Sequence, residues 1–341
     1  MNKEIVIITN ERFSKNNNYF FCDNIAEKSL PDGLSKNFQV EVVGRYSEKN
    51  RAHKLKTLKI KRSKNLFSYL YQVYRNSKIK NKAFLILAIS PYTFFACIFL
   101  FFLRKKTFVY LRSDGHEEYK SKFGIVGFII YHTIFFIVSK ITNLIGCNKK
   151  VLRGNVGKVL YPSELNDIWF QNKKKPDFEK IKILYIGRIR VEKGIFSLLK
   201  IFKKITEPIF LTIVGSDKDK YKSLESENVK VYNVQSNTQD LINFYDKNQI
   251  FVLPSFTEGH PMVLLEALAR ERPVIIFKDI KHIVEDKKGI FIAERTPESF
   301  YQSLKFIKDN YQKICLEIKK NKLPTKEQFI KELSSHIGRD G

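Results

Sequence analysis

One recurring pattern constrains the fold of this chain more than any other feature. Short apolar runs of strand length alternate with helical stretches, and the alternation starts twice. In the first half the runs are IVIITN (5–10), FQVEVVGR (38–45), FLILAIS (84–90), TFVYLRS (107–113) and VGKVLYP (156–162), with a long apolar helical stretch over 124–147. The second half begins again with KILYIGR (182–188). It continues through FSLLKIFKKI (196–205, helix), IFLTIVGS (209–216), VKVYNV (229–234), TQDLINFYDKN (238–248, helix), IFVLPS (250–255), PMVLLEALARE (261–271, helix) and PVIIF (273–277). Strands apolar on both faces and separated by helices make βαβ units, hence parallel sheets covered on both sides. The polar, lysine-rich stretch QNKKKPDFEKI (171–181) reads as a linker. The expectation is α/β architecture with two doubly wound domains facing across a cleft, over 1–167 and 178–310. A helical tail over 311–341, broken near Leu323-Pro324, is expected to pack back on the first domain. A chain of 341 residues is long enough for two such cores.

Residues 83–103, AFLILAISPYTFFACIFLFFL, have the length and basic flanks of a membrane span. Ser90-Pro91 argues otherwise, because FLILAIS has strand length and proline suits the first turn of a following helix. The predicted unit is strand, helix and strand, with a helix apolar nearly all round that is buried or leans on an apolar surface. This helix and the stretch GIVGFIIYHTIFFIVSKITNLIGC (124–147) fit plain core helices or peripheral contact with a membrane surface.

Lys and Arg total 61 against 35 acidic residues, a net charge of +26, which favours polyanionic partners. Abundant Lys, Asn, Ile and Phe also follow from a biased genome, so a single lysine says little. No RNA-binding aromatic motif, helix-turn-helix or zinc spacing appears, so nucleic acid is not an expected partner. Cys22, Cys97, Cys147 and Cys315 lie far apart without a CxxC pair, as suits buried thiols in a reducing compartment. The start, MNKEIVIITNERFSK, reads as a first buried strand and not as a secretory signal.

Two places carry candidate chemistry. Gly187-Arg188-Ile189-Arg190-Val191-Glu192-Lys193-Gly194 follows a strand and precedes a helix, so it sits at the ligand edge of an open sheet. Gly187 permits close backbone approach, and Arg188 and Lys193 could converge on a diphosphate. The second place is PSFTEGHPMVLLE, from Pro254 to Glu266. Here a strand ends at Ser255, a loop carries Glu258, and a helix beginning near Pro261 offers amides to a phosphate. Glu266 lies about a turn and a half into that helix, where a carboxylate can accept from a ribose diol.

GRIRVEKG, followed by PSFTEGHPMVLLEALARERPVI, resembles the donor domain of family-4 glycosyltransferases, retaining enzymes of the GT-B fold with two Rossmann-like domains. The glutamate pair Glu258 and Glu266 matches that family's spacing. The resemblance covers 156–300 well and the first half in outline. It implies that Arg188 and Lys193 hold the donor diphosphate and that Glu266 binds the ribose. It places Glu258 at the transferred sugar with the backbone of Gly259 and His260, and the amides of Met262, Val263 and Leu264 at the phosphates. Gly215 would lie by the nucleoside, and Ser255 belongs to the same donor set. No bound metal is implied, and no DxD motif is evident. The first half departs from the family, whose glycine-rich loop after the first strand is here Thr9–Lys15 without glycine. Asp114 and His116, after TFVYLRS, are candidates to approach the sugar; a helix-capping role suits Asp114 as well. Tyr161-Pro162-Ser163-Glu164 resembles an interdomain stretch.

The resemblance implies transfer of a sugar from a UDP- or GDP-linked donor to the hydroxyl of a lipid-linked or polysaccharide acceptor, with anomeric configuration retained. Positive charge and greasy helices suggest a peripheral place at the anionic inner face of the cytoplasmic membrane. The alternatives are a non-catalytic nucleic-acid- or membrane-binding protein, or another GT-B enzyme such as a sugar-nucleotide epimerase.

Overall fold

The computed structural model describes residues 4–56, 59–79, 82–176, 179–215, 219–235 and 237–339, with only the backbone of Lys220 and Arg339. The chain forms two compact units. One runs to Glu164 and takes back the segment from Lys326 onward; the other is Leu165–Thr325.

The first unit is built from β1 (Glu4–Asn16), β2 (Tyr19–Cys22), α1 (Ile25–Leu34), β3 (Gln39–Tyr46), β4 (His53–Lys54), β5 (Ile60–Ser63) and α2 (Leu66–Ser77). Then follow β6 (Lys82–Leu87), α3 (Pro91–Phe102), β7 (Thr107–Leu111), α4 (Gly115–Ile141), β8 (Asn143–Gly146) and β9 (Gly157–Val159). Its parallel strands lie in the order β5-β3-β1-β6-β7-β8-β9, while β2 pairs antiparallel with the far end of β1 and β4 pairs antiparallel with β2. The run 83–103 is a central strand and a helix, not a span. Strand β6 is paired on both sides, by β1 and β7, and Ser90 with Thr93 forms a capping box ahead of Pro91.

Three expectations are corrected here. The glycine-free segment Thr9–Lys15 is not a loop: β1 continues to Asn16 and re-pairs with β3 after a shift between Ile8 and Arg12. Phe13 drives this, being fully buried against Gly44, where any Cβ would collide with its ring. The stretch 124–147 is not one helix. Helix α4 starts earlier, bends at Gly124 with φ 62°, and ends at Ile141. Asn143–Gly146 is then a strand, with Leu144 and Ile145 in the core.

The second unit contains β10 (Ile181–Ile186), α5 (Ile195–Phe202), β11 (Ile209–Val214), β12 (Val229–Tyr232), α6 (Thr238–Lys247) and β13 (Ile250–Leu253). They are followed by α7 (Met262–Ala269), β14 (Val274–Phe277), β15 (Ile290–Ala293), α8 (Pro297–Asp309) and α9 (Tyr311–Ile318). All six strands are parallel, in the order β12-β11-β10-β13-β14-β15. This is the doubly wound order whose direction reverses between β10 and β13.

The tail is the third correction, because 311–341 is not one piece. Tyr311, Ile314 and Ile318 of α9 join the second unit's core, whereas α10 (Lys326–Arg339) puts Phe329, Ile330, Leu333 and Ile337 into the first. Each helix buries its own apolar stripe, and the polar break at 319–325 lets the two stripes serve different cores. Glu164 anchors the return: it accepts from Ser29 of α1 and pairs with Lys326 Nζ at 2.9 Å.

The segment expected as a linker is tied down in part. Arg270, fully buried, directs its guanidinium to Asp246 at 2.7 Å and to the carbonyls of Trp169, Gln171 and Asn172. Arg272 adds the carbonyl of Lys174 at 2.6 Å. Cys22, Cys97 and Cys147 are buried thiols and Cys315 is half-buried, with no disulfide among them.

Candidate functional site

The reversal between β10 and β13 brings two loops together at the carboxyl edge of the second sheet. One leaves β10 at Gly187, the other leaves β13 at Pro254. Two close approaches shape the edge. The amide of Gly187 donates to the Val214 carbonyl at 2.9 Å, and a Cβ on Gly215 would stand 3.0 Å from Gly187's oxygen. At Gly194 a Cβ would meet the Pro254 carbonyl oxygen at 1.8 Å, and φ there is 68°. Only glycine fits that backbone and that gap. The Phe256 amide then donates to the Glu192 carbonyl at 3.0 Å, stitching the loops together.

On this frame Lys193 Nζ lies 2.7 Å from Glu258 Oε1, and Ser255 Oγ donates to the same oxygen at 2.6 Å. The backbone of Glu258 is held too, its carbonyl 2.9 Å from His282 Nε2. Arg188 is exposed, with its own carbonyl accepting from the Tyr185 hydroxyl at 2.9 Å. Burial, with Glu258 next, holds the Tyr185 phenol well above its ordinary value, so it remains a donor. Gly259 and His260 follow in the loop, half-buried.

Helix α7 starts at Met262, and its N-cap, Pro261, has no side-chain group to cap the first turn. The amide of Leu264 is bonded to the Pro261 carbonyl at 3.2 Å, so of the three amides expected at the phosphates this one is already engaged. Glu266, half-buried, accepts from the Tyr245 hydroxyl at 2.8 Å. Tyr245 is fully buried, and burial together with Glu266 keeps its phenol protonated.

The candidates of the first unit sit differently. Asp114 caps α4, accepting from the amides of His116 and Glu117, and its carboxylate lies 3.2 Å from Arg153 Nη2. The capping role is therefore the one the structure displays. His116 is 2% exposed, its ring against those of Phe128, Tyr131 and Phe135, with Nε2 3.3 Å from His132 Nδ1. Burial and the Arg153 charge lower its pKa to about 4, so the imidazole is neutral at pH 7. Among the described residues no three His, Cys, Asp or Glu side chains gather as a metal site.

Sequence reasoning missed His282, Tyr245, Arg270 and Arg272. Arg270 and Arg272 left a trace, as arginines directly after an apolar helix face and before a strand; His282 and Tyr245 left none.

Residues 167–323 match the family described as Glycosyl transferases group 1. An uncharacterised glycosyltransferase of Haemophilus influenzae is 26% identical over 54% of this chain and 54% of its own length. The capsular polysaccharide biosynthesis glycosyltransferase CapM of Staphylococcus aureus is 31% identical over 43% of this chain and 45% of its own. The chain thus spans about half the length of these curated relatives. Sucrose-phosphate synthase from Thermosynechococcus elongatus superposes with a TM-score of 0.70 at 15% identity, covering 99% of both chains. HepE of Anabaena, solved with UDP and glucose, gives 0.71 at 13% identity over 98% of this chain and 99% of its own. A putative UDP-N-acetylglucosamine 2-epimerase from Listeria monocytogenes gives 0.57 at 11% identity, over 99% and 97%. The chain therefore has the GT-B-type fold of two parallel-sheet, Rossmann-like domains, and its residues 167–323 are similar to the domain described as Glycosyl transferases group 1.

Proposed function

We propose that the protein is a retaining glycosyltransferase that moves a sugar from a UDP- or GDP-linked donor to an acceptor hydroxyl in cell-surface glycan synthesis. The observation that carries this reading is the set Lys193, Ser255 and Glu258, joined within 2.7 Å at the reversal point of the second sheet, with Glu266 one helix turn inside α7. The CapM relative, which by its name serves capsule synthesis, supports the setting.

In this mechanism Arg188, Lys193 and the start of α7 meet the charge that builds on the leaving diphosphate. Glu266 accepts from the ribose hydroxyls, its orientation held by Tyr245. Glu258, with the backbone of Gly259 and His260, orients the sugar and forms no covalent bond to it. The acceptor oxygen attacks from the face the nucleotide leaves, and the departing phosphate takes the acceptor proton. Because the chain's own cations meet the phosphate charge, turnover is expected to survive chelation of divalent metals. The first unit would hold the acceptor, with Asp114 and His116 on its side of the reaction.

A lipid-linked or polysaccharide acceptor places the enzyme at the inner face of the cytoplasmic membrane. Helix α4 supports that placement, being long and apolar enough to cross a membrane, with 22% of its most apolar window buried. Its inner face buries Tyr131, Phe135 and Val138 in the core of the first unit. Its outer stripe exposes Ile125, Val126, Ile129, Ile130 and Phe136, with Lys120, Lys122 and Lys140 at its ends. Sedimentation with phosphatidylglycerol vesicles, but not with phosphatidylcholine vesicles, is the expected result.

The deciding experiment is a thermal-shift series with UDP, GDP and their sugar conjugates, run beside Glu266→Ala. Stabilisation by one nucleotide, weakened in the variant, is expected. No response to any nucleotide by folded protein would remove the donor-site reading. Loss of anomeric configuration in the product would remove the retaining mechanism, and donor consumption without any acceptor would favour a hydrolase or epimerase.

A further inference from the structure

We infer that Arg295, on the loop after β15, is the positioning residue for the Ser255–Glu258 loop, and so for the sugar half of the donor. The inference rests on the donor-site reading above and deepens it.

The geometry is specific. Arg295 Nη2 donates to the carbonyls of both Pro254 and Ser255, at 2.9 and 3.0 Å, and Nε donates to Asp279 Oδ2 at 2.8 Å. The guanidinium carbon lies 3.9 Å from the Phe256 ring centroid and 4.6 Å from that of Phe277, between the two. Nη1 is buried with no hydrogen-bond partner among the described residues, and a Cβ on Gly194 would stand 3.4 Å from it. The head group therefore lies under the turn that presents Lys193.

Where β13 ends, its last carbonyls have no strand left to bond, and the chain must turn so that Ser255 Oγ meets Glu258 Oε1. A planar guanidinium serves both carbonyls from one nitrogen while stacking on the aromatic ring between them and Glu258. His282 fixes the other end of the loop at the Glu258 carbonyl. The aim of the Glu258 carboxylate is thus set by two cation-capable side chains from outside the loop. Lysine cannot reproduce this, because a tetrahedral ammonium neither stacks flat nor forks in a plane. At the nucleotide end of the site Glu266 takes a hydrogen bond from Tyr245 at 2.8 Å, a partner on a different element from Arg295.

The test uses the full chain as wild type, Arg295→Lys and Arg295→Met, with calorimetric titration of UDP, UDP-glucose, GDP and GDP-mannose. The donor reading predicts that wild type binds one nucleotide and its sugar conjugate. The positioning role then predicts that both variants keep the free-nucleotide affinity within about twofold. The extra affinity from the sugar is lost in both. Release of nucleotide from the conjugate by water falls about a hundredfold, the scale expected for an ångström of misplacement. Hydrogen exchange on the proteins alone is expected to rise at the amides of 255–260 and nowhere else.

If both variants match wild type in sugar-dependent affinity and in exchange, the inference is overturned. It is equally overturned if nucleotide and conjugate affinities fall together with exchange rising throughout the second unit, which marks a general stabiliser, or if Arg295→Lys restores full function. If wild type binds none of the four ligands, the donor reading fails by itself. The exchange measurement then decides the role of Arg295 alone: local acceleration at 255–260 supports it and an unchanged pattern overturns it.

Discussion

The carbonyl oxygen of Pro254 occupies the space a side chain on Gly194 would need, 1.8 Å from the position of its Cβ. The contact locks the turn bearing Lys193 to the loop bearing Glu258. Gly194→Ala must both adopt a left-handed φ and push the Pro254 backbone away, at a cost of about 2–3 kcal/mol. The expected outcome is a lower melting temperature of the second unit and loss of nucleotide-induced stabilisation, read in one thermal-shift series.

Lys193 and Ser255 converge on one oxygen of Glu258. Glu258→Gln keeps the shape but not the charge, and is expected to lower turnover about 10²–10³-fold with nucleotide affinity nearly unchanged. Lys193→Met is expected to weaken both, because the ammonium also serves the diphosphate. Titration calorimetry with the free nucleotide, set beside the rate of nucleotide release from the conjugate, separates the two outcomes.

The Tyr245 hydroxyl donates to Glu266 from a fully buried ring. Tyr245→Phe leaves the packing and removes the donor, so Glu266 loses its orienting partner. A hydrogen bond to a charged acceptor contributes about 1.5–3 kcal/mol. Nucleotide affinity is expected to fall about tenfold at the lower end of that range, whereas the affinity gained from the sugar should persist. Binding isotherms for nucleotide and conjugate check this directly.

Arg270 gives its guanidinium to Asp246 and to three carbonyls of the segment Trp169–Asn172. Arg270→Met leaves Asp246 buried with Arg272 as its one remaining ionic partner among the described residues, for an expected loss of about 3–5 kcal/mol. The lysines at 173–175 would also be released from the body of the second unit. Trypsin should then cleave there faster in the variant than in wild type, and equal cleavage rates would contradict the anchoring role.

His116 sets a pH dependence. Its folded-state pKa, about 4, lies below the ordinary value of 6.5, so between these values the unfolded chain binds a proton that the folded chain refuses. Stability is therefore expected to fall as pH drops from 6.5 toward 4. His116→Asn should flatten that part of the profile, seen as a smaller drop in melting temperature between pH 6.5 and 4.5 than in wild type.

The strands and helices of the second unit were legible because parallel strands buried on both faces are nearly continuous apolar runs, and Gly187, Gly194 and Pro261 punctuate them. The glutamate pair was legible from its spacing. What escaped has physical causes. Strand β15 is only four residues long, so the apolar run IFIA is too short to show a strand period. Phe13 extends β1 only because Gly44 of a distant strand leaves room for its ring. Helix α4 is polar over Gly115–Lys122 and apolar from Phe123 on, so hydropathy marks the neighbourhood of the bend at Gly124, whereas the switch to strand at Asn143 lies inside the apolar run and leaves no mark.

By itself the sequence determined the two α/β repeats, the order of their elements and the loops that bear Lys193, Glu258 and Glu266. These follow from local periodicity, glycine and proline, which act over a few residues. Only the tertiary structure decided which distant groups aim those side chains: Tyr245 behind Glu266, His282 and Arg295 at the two ends of the Glu258 loop, Arg270 under the segment entering the second unit. The return of the tail to the first unit was an expectation of the sequence, but only the tertiary structure decided that α10 alone makes it while α9 stays with the second core. Hydrogen bonds and side-chain packing act over a few ångströms in space whatever the separation along the chain, so no short window of sequence contains both partners.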